Sequence, residues 1–208
     1  MKTLFNVSLL CSALALSSIA NAIEIPTNVM TDYQAGLRGD GSANANAVQQ
    51  LTQLHQQDGK DLVVLALLGS SETTSARYAD QPWQKMKLAE RGMGKLDKVL
   101  RFLTSKQDAS PVETLRVNTT AGCTFVSVPA MFNRFEQGYQ LLTQTIAAPM
   151  FSHVPPRAKI STYLCAAKAA AKAKDKTNAI QYIASLNQLA PHASFIASLN
   201  ALKAQLEE

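Results

Sequence analysis

The stretch PWQKMKLAERGMGKLDKVLRFL, residues Pro82–Leu103, decides the fold class of this chain. Placed on a helix at 100° per residue, its large apolar side chains gather on one broad arc. That arc contains Met86, Leu88, Ala89, Met93, Leu96, Val99, Leu100 and Leu103. The pattern predicts a long amphipathic helix, in which we expect Met86, Met93, Leu96 and Leu100 to be buried.

The polar side of this helix is basic. It carries Lys87, Arg91, Lys95, Lys98 and Arg101, flanked by the acidic Glu90 and Asp97. Helices that lie on membranes usually pair a strongly basic polar face with an apolar face that contains aromatic residues. Here the apolar arc is aliphatic and the basic face has acidic neighbours. The pattern therefore favours a helix packed in a larger helical body, and a membrane-surface helix stays open as the alternative.

The chain after residue 22 reads as helical almost throughout, so the predicted fold class is all-α. The only β-branched cluster is TFVSV at Thr124–Val128, and the punctuation is typical of helix ends. Ser42 is a candidate N-cap, and SPVE at Ser110–Glu113 forms a capping box with proline at its first helical position. About nine helices are predicted: Val29–Leu37, one between Ser42 and Gly59, Leu62–Ala79, the opening stretch, one between Ser110 and Pro129, Phe132–Ala147, Ala158–Lys174, Asn178–Leu189 and Ser194–Leu206.

The N-terminus has the pattern of a secretory signal peptide. Lys2 precedes an uncharged run, Leu4–Ile19, and ANA at Ala20–Ala22 supplies the small residues of a cleavage site. We expect cleavage after Ala22, export to a periplasm, and a single domain over residues 23–208. The formal net charge of +5 loses one unit with Lys2, so the exported chain is only mildly basic. Such a charge favours acidic partners weakly.

Cysteine usage fits an oxidising compartment. Cys11 leaves with the signal peptide, and Cys123 and Cys165 stay. Both lie on the first helix of a predicted helix pair, and such helices are neighbours in a stacked array. A disulfide between Cys123 and Cys165 is therefore one interpretation, and two buried free thiols are the other.

No catalytic or cofactor motif is present. The three histidines, His55, His153 and His192, are isolated, and neither a CxxC pair nor a GxSxG elbow nor a phosphate-binding glycine loop occurs. We expect no metal, no cofactor and no enzymatic activity. A nucleic-acid partner is also not expected, because no aromatic residues interleave with the basic residues of the lysine-rich segment at residues 167–176.

The spacing of small and large residues suggests helical repeats. Tyr163, Ala167, Ala179, Ile183 and Pro191 match a tetratricopeptide unit, with small residues where two helices cross and proline after the second helix. LLGSS at residues 67–71 is similar to the first helix of such a unit, and Ala89 is the expected small residue on its partner helix.

Residues 62–142 resemble a group of bacterial exported, tetratricopeptide-like helical proteins of poorly defined function. The matching positions are Trp83, Lys85, Met86, Gly92, Leu96, Asp97, Pro129, Phe132 and Arg134, whereas Tyr78–Asp80 departs from the group's pattern. The resemblance implies stacked antiparallel helix pairs and no particular activity.

Stacked helix pairs leave a concave groove that suits a peptide or protein segment. The leading hypothesis is therefore an exported interaction module; a membrane-surface accessory protein and an enzyme with a site assembled from distant residues are the alternatives. Candidate partner-binding residues are Trp83, Lys87, Arg91, Lys98, Arg101 and Arg134. Trp83 has two interpretations: it packs into the turn before its helix, or it anchors a partner.

Overall fold

The computed structural model describes residues 24–192 and 194–207, and this part of the chain contains helices and no strand. The predicted all-α class is confirmed. The predicted signal peptide, residues 1–22, lies outside the described residues. The α-helices are α1 (Thr27–Leu37), α2 (Gly41–Gln57), α3 (Leu62–Ser75), α4 (Pro82–Ser105), α5 (Pro111–Ser127), α6 (Phe135–Ala147), α7 (Met150–His153), α8 (Pro156–Lys172), α9 (Lys176–Leu189) and α10 (Ile196–Glu207), with a 3-10 turn η1 (Ala130–Phe132) before α6.

Several helix ends differ from the prediction. The N-cap of α2 is Asp40, whose side chain accepts from the Ala43 N–H at 2.9 Å, so Ser42 is not the cap. The expected helix start at Phe132 is wrong, because Asn133 adopts a left-handed conformation and separates η1 from α6. Helix α7 lies between the predicted helices Phe132–Ala147 and Ala158–Lys174, where no helix was predicted. The cap at Ser110 is confirmed by its hydrogen bond from the Glu113 N–H at 3.1 Å.

The helices pack in adjacent pairs: α1–α2, α3–α4, α5–α6 and α8–α9. The first helix of each pair, which we call an inner helix, also contacts the inner helix of the next pair. The second helix of each of the first three pairs contacts the inner helix that follows it. Each later inner helix is therefore held by both helices of the preceding pair. The four inner helices are α1, α3, α5 and α8.

The tightest crossing joins α3 and α4 through two glycines. A Cβ on Gly69 would lie 2.9 Å from the Gly92 carbonyl oxygen, and a Cβ on Gly92 would collide with Gly69 and Thr73. The expected small residue, Ala89, is buried, but the closest approach lies one turn later at Gly92. Gly69 also faces Leu96 whereas Thr73 faces Gly92, so the two helices run antiparallel.

The other pairs use the same principle with different residues. A Cβ on Gly122 of α5 would lie 2.7 Å from Leu142 Cγ, and one on Gly138 of α6 would lie 2.8 Å from Phe125 Cβ. In the α8–α9 pair, small residues at the contact are alanines, including Ala166 and Ala170, which are fully buried. Small side chains therefore allow close helix packing in the α3–α4, α5–α6 and α8–α9 pairs.

Helix α3 forms the centre of the larger core, and its residues from Leu62 to Thr74 are all buried. This explains why its sequence is apolar on almost every side: α1, α2, α4 and α5 surround it. On α4, the predicted burial of Met93 and Leu96 is confirmed, whereas Met86 and Leu100 are only half-buried. A second core lies around α8 and α9 and includes Leu142 of α6.

Candidate functional site

All four inner helices contribute to one cavity of about 560 Å³. It lies beside the C-terminal halves of α3 and α5, and the start of α4 and η1 complete its walls. Residues from these elements include Leu37 on α1, Thr74 on α3, Met86 on α4, Ser127 on α5, Met131 on η1 and Cys165 on α8. The volume is within the usual range of a ligand pocket.

The walls of this cavity are largely apolar, and part of them is open to solvent. Met131 is 70% exposed although it is a large apolar residue, and Leu37 is also exposed. Met86 and Phe132 are half-buried in the same cavity. Exposed apolar side chains that gather at a concavity are typical of binding sites.

Hydroxyl groups form a polar cluster on one side of the cavity. Thr124 Oγ1 donates to Ser70 Oγ at 2.9 Å, and the Tyr33 hydroxyl hydrogen-bonds with the same Ser70 oxygen at 3.1 Å. This cluster connects α1, α3 and α5. Burial of the Tyr33 phenol raises its pKa, which further favours the protonated form.

The charged residues that line the cavity, Arg77 and Lys85, are both cations. Arg77 Nη1 donates to the Leu37 carbonyl oxygen at 3.2 Å, which holds the guanidinium near the end of α1. Among the residues that the structure describes, none that lines the cavity is acidic. The cavity therefore combines an apolar interior with positive charge.

The disulfide between Cys123 and Cys165 forms part of the cavity wall. Its Cα atoms are 5.4 Å apart, within the range that a disulfide requires. It joins the inner helices α5 and α8, as expected from their positions in neighbouring pairs. The alternative of two free buried thiols is wrong for this structure.

Five of the candidate partner-binding residues lie together, but outside the cavity. Trp83, Lys87, Arg91, Lys98 and Arg101 are exposed along one side of α4, which we call the outer face. Trp83 is 64% exposed, so the interpretation that it packs into the turn before α4 is wrong. Its position is rotated by about 100° from Pro82, which lines the cavity.

Two cations of α4 compensate a buried carboxylate. Glu72 on α3, whose side chain is 8% exposed, accepts from Lys95 Nζ at 2.7 Å and lies 3.2 Å from Arg91 Nε. Lys95 was expected on the solvated face, but it belongs to the α3–α4 contact. Arg91 is half-exposed and has part of its charge neutralised by Glu72.

The sixth candidate, Arg134, has a structural role. Its Nη1 donates to Asp97 Oδ1 at 3.0 Å, and its guanidinium lies over the Phe125 ring at 5.0 Å. Arg134 therefore ties the start of α6 to α4 and α5. The guanidinium is engaged within the chain, and partner binding by Arg134 stays a prediction.

A second cavity, of about 780 Å³, lies at the opposite end of α3. Acidic and basic residues alternate around it, including Asp61, Lys106 and Glu113, and Lys106 Nζ pairs with Glu113 Oε1 at 2.8 Å. The exposed Phe102 also lines it. Its mixed charge selects no single ligand chemistry.

The three histidines are far from one another and from the two bonded cysteines in sequence. In residues 24–192 and 194–207, no group of three His, Cys, Asp or Glu side chains is suited to a metal ion. His55 borders the core with a buried Nδ1 that has no hydrogen-bond partner. Among the helices of the same residues, none is both long and apolar enough to cross a membrane.

No family model, curated protein or solved structure matches the chain.

Three residues of the cavity were not predicted from the sequence. Leu37 is the last residue of α1, Arg77 follows the end of α3, and Met131 lies on η1. Met131 had a signal, because it follows a helix-breaking proline, Pro129, and so could not be assigned to the buried arc of a helix. Leu37 and Arg77 had none, since only the packing of α1 against α3 brings them together.

Proposed function

We propose that this chain is an exported, non-catalytic helical-repeat protein that binds a segment of another protein in the cavity between its inner helices. The observation that carries the proposal is the convergence of α1, α3, α5 and α8 on one apolar concavity with Met131 and Leu37 exposed at it. Stacked helix pairs commonly use such concave surfaces for extended ligands. The tetratricopeptide-like resemblance of residues 62–142 is consistent with this function.

Export to a periplasm is part of the proposal. Its support is the signal-peptide pattern at residues 1–22 and the Cys123–Cys165 disulfide, because disulfides persist mainly in oxidising compartments. Mass spectrometry of the protein recovered from the native host's periplasm should find Ile23 as the first residue. A chain that is recovered in the cytosol with Lys2 still present would contradict export.

Site-specific photo-crosslinking in the native host tests the cavity as a binding site. A photoreactive amino acid at Met131 should give discrete adducts with another protein, because this side chain is exposed at the cavity. The matched control is Gln181, an exposed position on α9 away from the cavity. Adducts of the same kind and yield at both positions, or none at Met131, would contradict binding in the cavity.

The outer face of α4 supports a second candidate function, association with an anionic membrane surface. The favouring observation is that the aromatic Trp83 and Phe102 are exposed near its two ends, with Lys87, Lys98 and Arg101 between or beside them. Each cation near an anionic lipid surface contributes about 1 kcal/mol. Glu90 on the same side and the pairing of Arg91 with Glu72 weaken this attraction.

Vesicle flotation separates the two functions. The membrane hypothesis expects the protein to float with vesicles that contain phosphatidylglycerol and not with phosphatidylcholine alone, and to be released by salt. It also expects Trp83→Ala to reduce flotation. The cavity hypothesis expects no flotation with either vesicle and no effect of Trp83→Ala on the crosslinks at Met131.

A further inference from the structure

The cations that line the cavity differ in their pairing from the two cations of α4 that contact Glu72 on α3. Arg91 and Lys95 pair with Glu72, whereas neither Arg77 nor Lys85 forms an ion pair in the part of the chain that the structure describes. Their described neighbours in the cavity wall include no acidic residue. An anionic group that entered the cavity would meet uncompensated positive charge.

Arg77 is held in a position that leaves donors for a ligand. One of its nitrogens, Nη1, is used by the Leu37 carbonyl oxygen, and this contact fixes the guanidinium at the edge of the cavity. A guanidinium has five N–H donors, and its planar fork fits a carboxylate. The other side of the guanidinium can therefore bind one.

Thr74 adds a hydroxyl group to the cavity wall. It lines the cavity, is 6% exposed, and its hydroxyl makes no hydrogen bond to any other described residue. A ligand oxygen in the cavity is an acceptor that this hydroxyl can use.

From these contacts we infer that the cavity binds a peptide segment in which an apolar side chain stands beside an aspartate or glutamate. The apolar side chain fills the space between Met86 and Phe132, and the carboxylate lies against Arg77 and Lys85. Exposed apolar residues on two separate elements, Leu37 on α1 and Met131 on η1, allow the segment to continue past the cavity. The carboxylate is therefore assigned to a side chain and not to a chain end. This inference rests on the proposed function and specifies the ligand of the same site.

The test uses a random library of twelve-residue peptides, displayed between two fixed flanks so that no peptide has a free end. The library is selected against the purified protein, against Arg77→Gln/Lys85→Gln, and against the control Lys98→Gln/Arg101→Gln on the outer face of α4. Thermal unfolding monitored by circular dichroism verifies that the three proteins are equally folded. Both double variants remove two positive charges, so nonspecific charge effects are matched.

The inference expects peptides that combine an acidic residue with a large apolar neighbour, selected by the unchanged protein and by the outer-face variant. The acidic preference should disappear with Arg77→Gln/Lys85→Gln while the apolar preference persists. In a synthetic copy of a selected peptide, replacing the acid by its amide should weaken binding about tenfold or more, as expected for a charge-assisted hydrogen bond.

Selected peptides without acidic preference, or with a preference that Arg77→Gln/Lys85→Gln leaves unchanged, would overturn the inference and leave the proposed function standing. Binding that appears only when the same peptides carry a free carboxyl end would overturn the assignment to a side chain. If no peptide is enriched on any of the three proteins, both the inference and the proposed function fail.

Discussion

The inner and outer sides of α4 carry similar residues but differ in what surrounds them. The inner side contributes Lys85 and Met86 to the cavity, whereas the outer face carries Trp83, Lys98 and Arg101. Apolar and cationic residues from other elements, such as Met131 and Arg77, join the inner side at the cavity. A ligand can be buried from several directions in such a concavity, whereas the outer face offers contacts from one helix. Residue type alone therefore does not identify the binding side.

The two sides of α4 are set first by the glycine crossing that positions α4 on α3. Gly92→Ala should destabilise the protein by about 4 kcal/mol or more, because the added Cβ meets backbone atoms of Gly69 and Thr73 and the helices must separate. Gly94→Ala on the same helix is the matched control, since a Cβ there meets nothing within 4 Å. It should stabilise by about 0.5–1 kcal/mol. Urea unfolding measures both, and equal effects of the two substitutions would contradict the close crossing.

The next largest effect should come from the disulfide in the cavity wall. Replacing Cys123 and Cys165 together by serine removes a link across 42 residues of sequence, which the chain-entropy model values at about 4 kcal/mol. Hydrogen exchange should then show lower protection in α8 and α9 than in α3 and α4. Thiol counting on the denatured, unreduced wild-type protein should find neither of these cysteines free; two free thiols would refute the bond.

A smaller loss of stability is expected when a buried side chain on the apolar arc of α4 is truncated. Leu96 is fully buried against α3, and Leu96→Ala should cost about 3 kcal/mol, within the usual range for a buried leucine. Lys98→Ala, two residues away on the exposed outer face, should cost less than about 0.5 kcal/mol. The same chemical denaturation assay compares them. Similar losses of unfolding free energy at the two positions would contradict the burial of Leu96 and the exposure of Lys98.

The smallest predicted effect concerns the turn between α8 and α9. Asp175 accepts from the Tyr139 hydroxyl at 2.7 Å and from the Asn178 N–H at 3.1 Å, and these bonds lower its pKa. Because that pKa is lower in the folded chain than in the unfolded one, the stabilisation is present above the unfolded value, about 4, and is lost as the pH falls through the folded value. Asp175→Ala should cost about 1 kcal/mol at neutral pH, the usual value of an N-cap.

The same substitution should also reduce the slope of stability against pH below about pH 4. Unfolding free energies measured at several acidic pH values check this, with Asp80→Ala as a control at an exposed loop position. An unchanged slope in Asp175→Ala would contradict the link between α6 and the α8–α9 turn.

Much of the fold could be predicted because periodicity and capping are local. The apolar arc of α4, the cap at Ser110 and the proline at the start of α4 were all readable from neighbouring residues. The small residue on α4 was assigned to Ala89 and not to Gly92, because the rotation of one helix on another depends on the whole contact. Met86 was expected in the core and instead lines the cavity, where it is only half-buried.

The candidate site was less predictable. The basic residues and Trp83 were recognisable as surface candidates, but the sequence does not indicate which side of a helix other helices leave open. The disulfide was an exception, because compartment and helix position both favoured it. Arg77, Leu37 and Met131 come together only through the packing of α1, α3 and η1, which no local pattern encodes.

The most direct test of the central claim, that ligands enter the cavity and not the outer face of α4, is methyl NMR of protein labelled at its methionines. Met86 and Met131 line the cavity, whereas Met93 is in the core and Met150 lies on α7. Titration with a peptide from the library selection should shift the methyl signals of Met86 and Met131 and leave those of Met93 and Met150 in place. A bound peptide that shifts the indole signal of Trp83 and neither cavity methyl would contradict the claim.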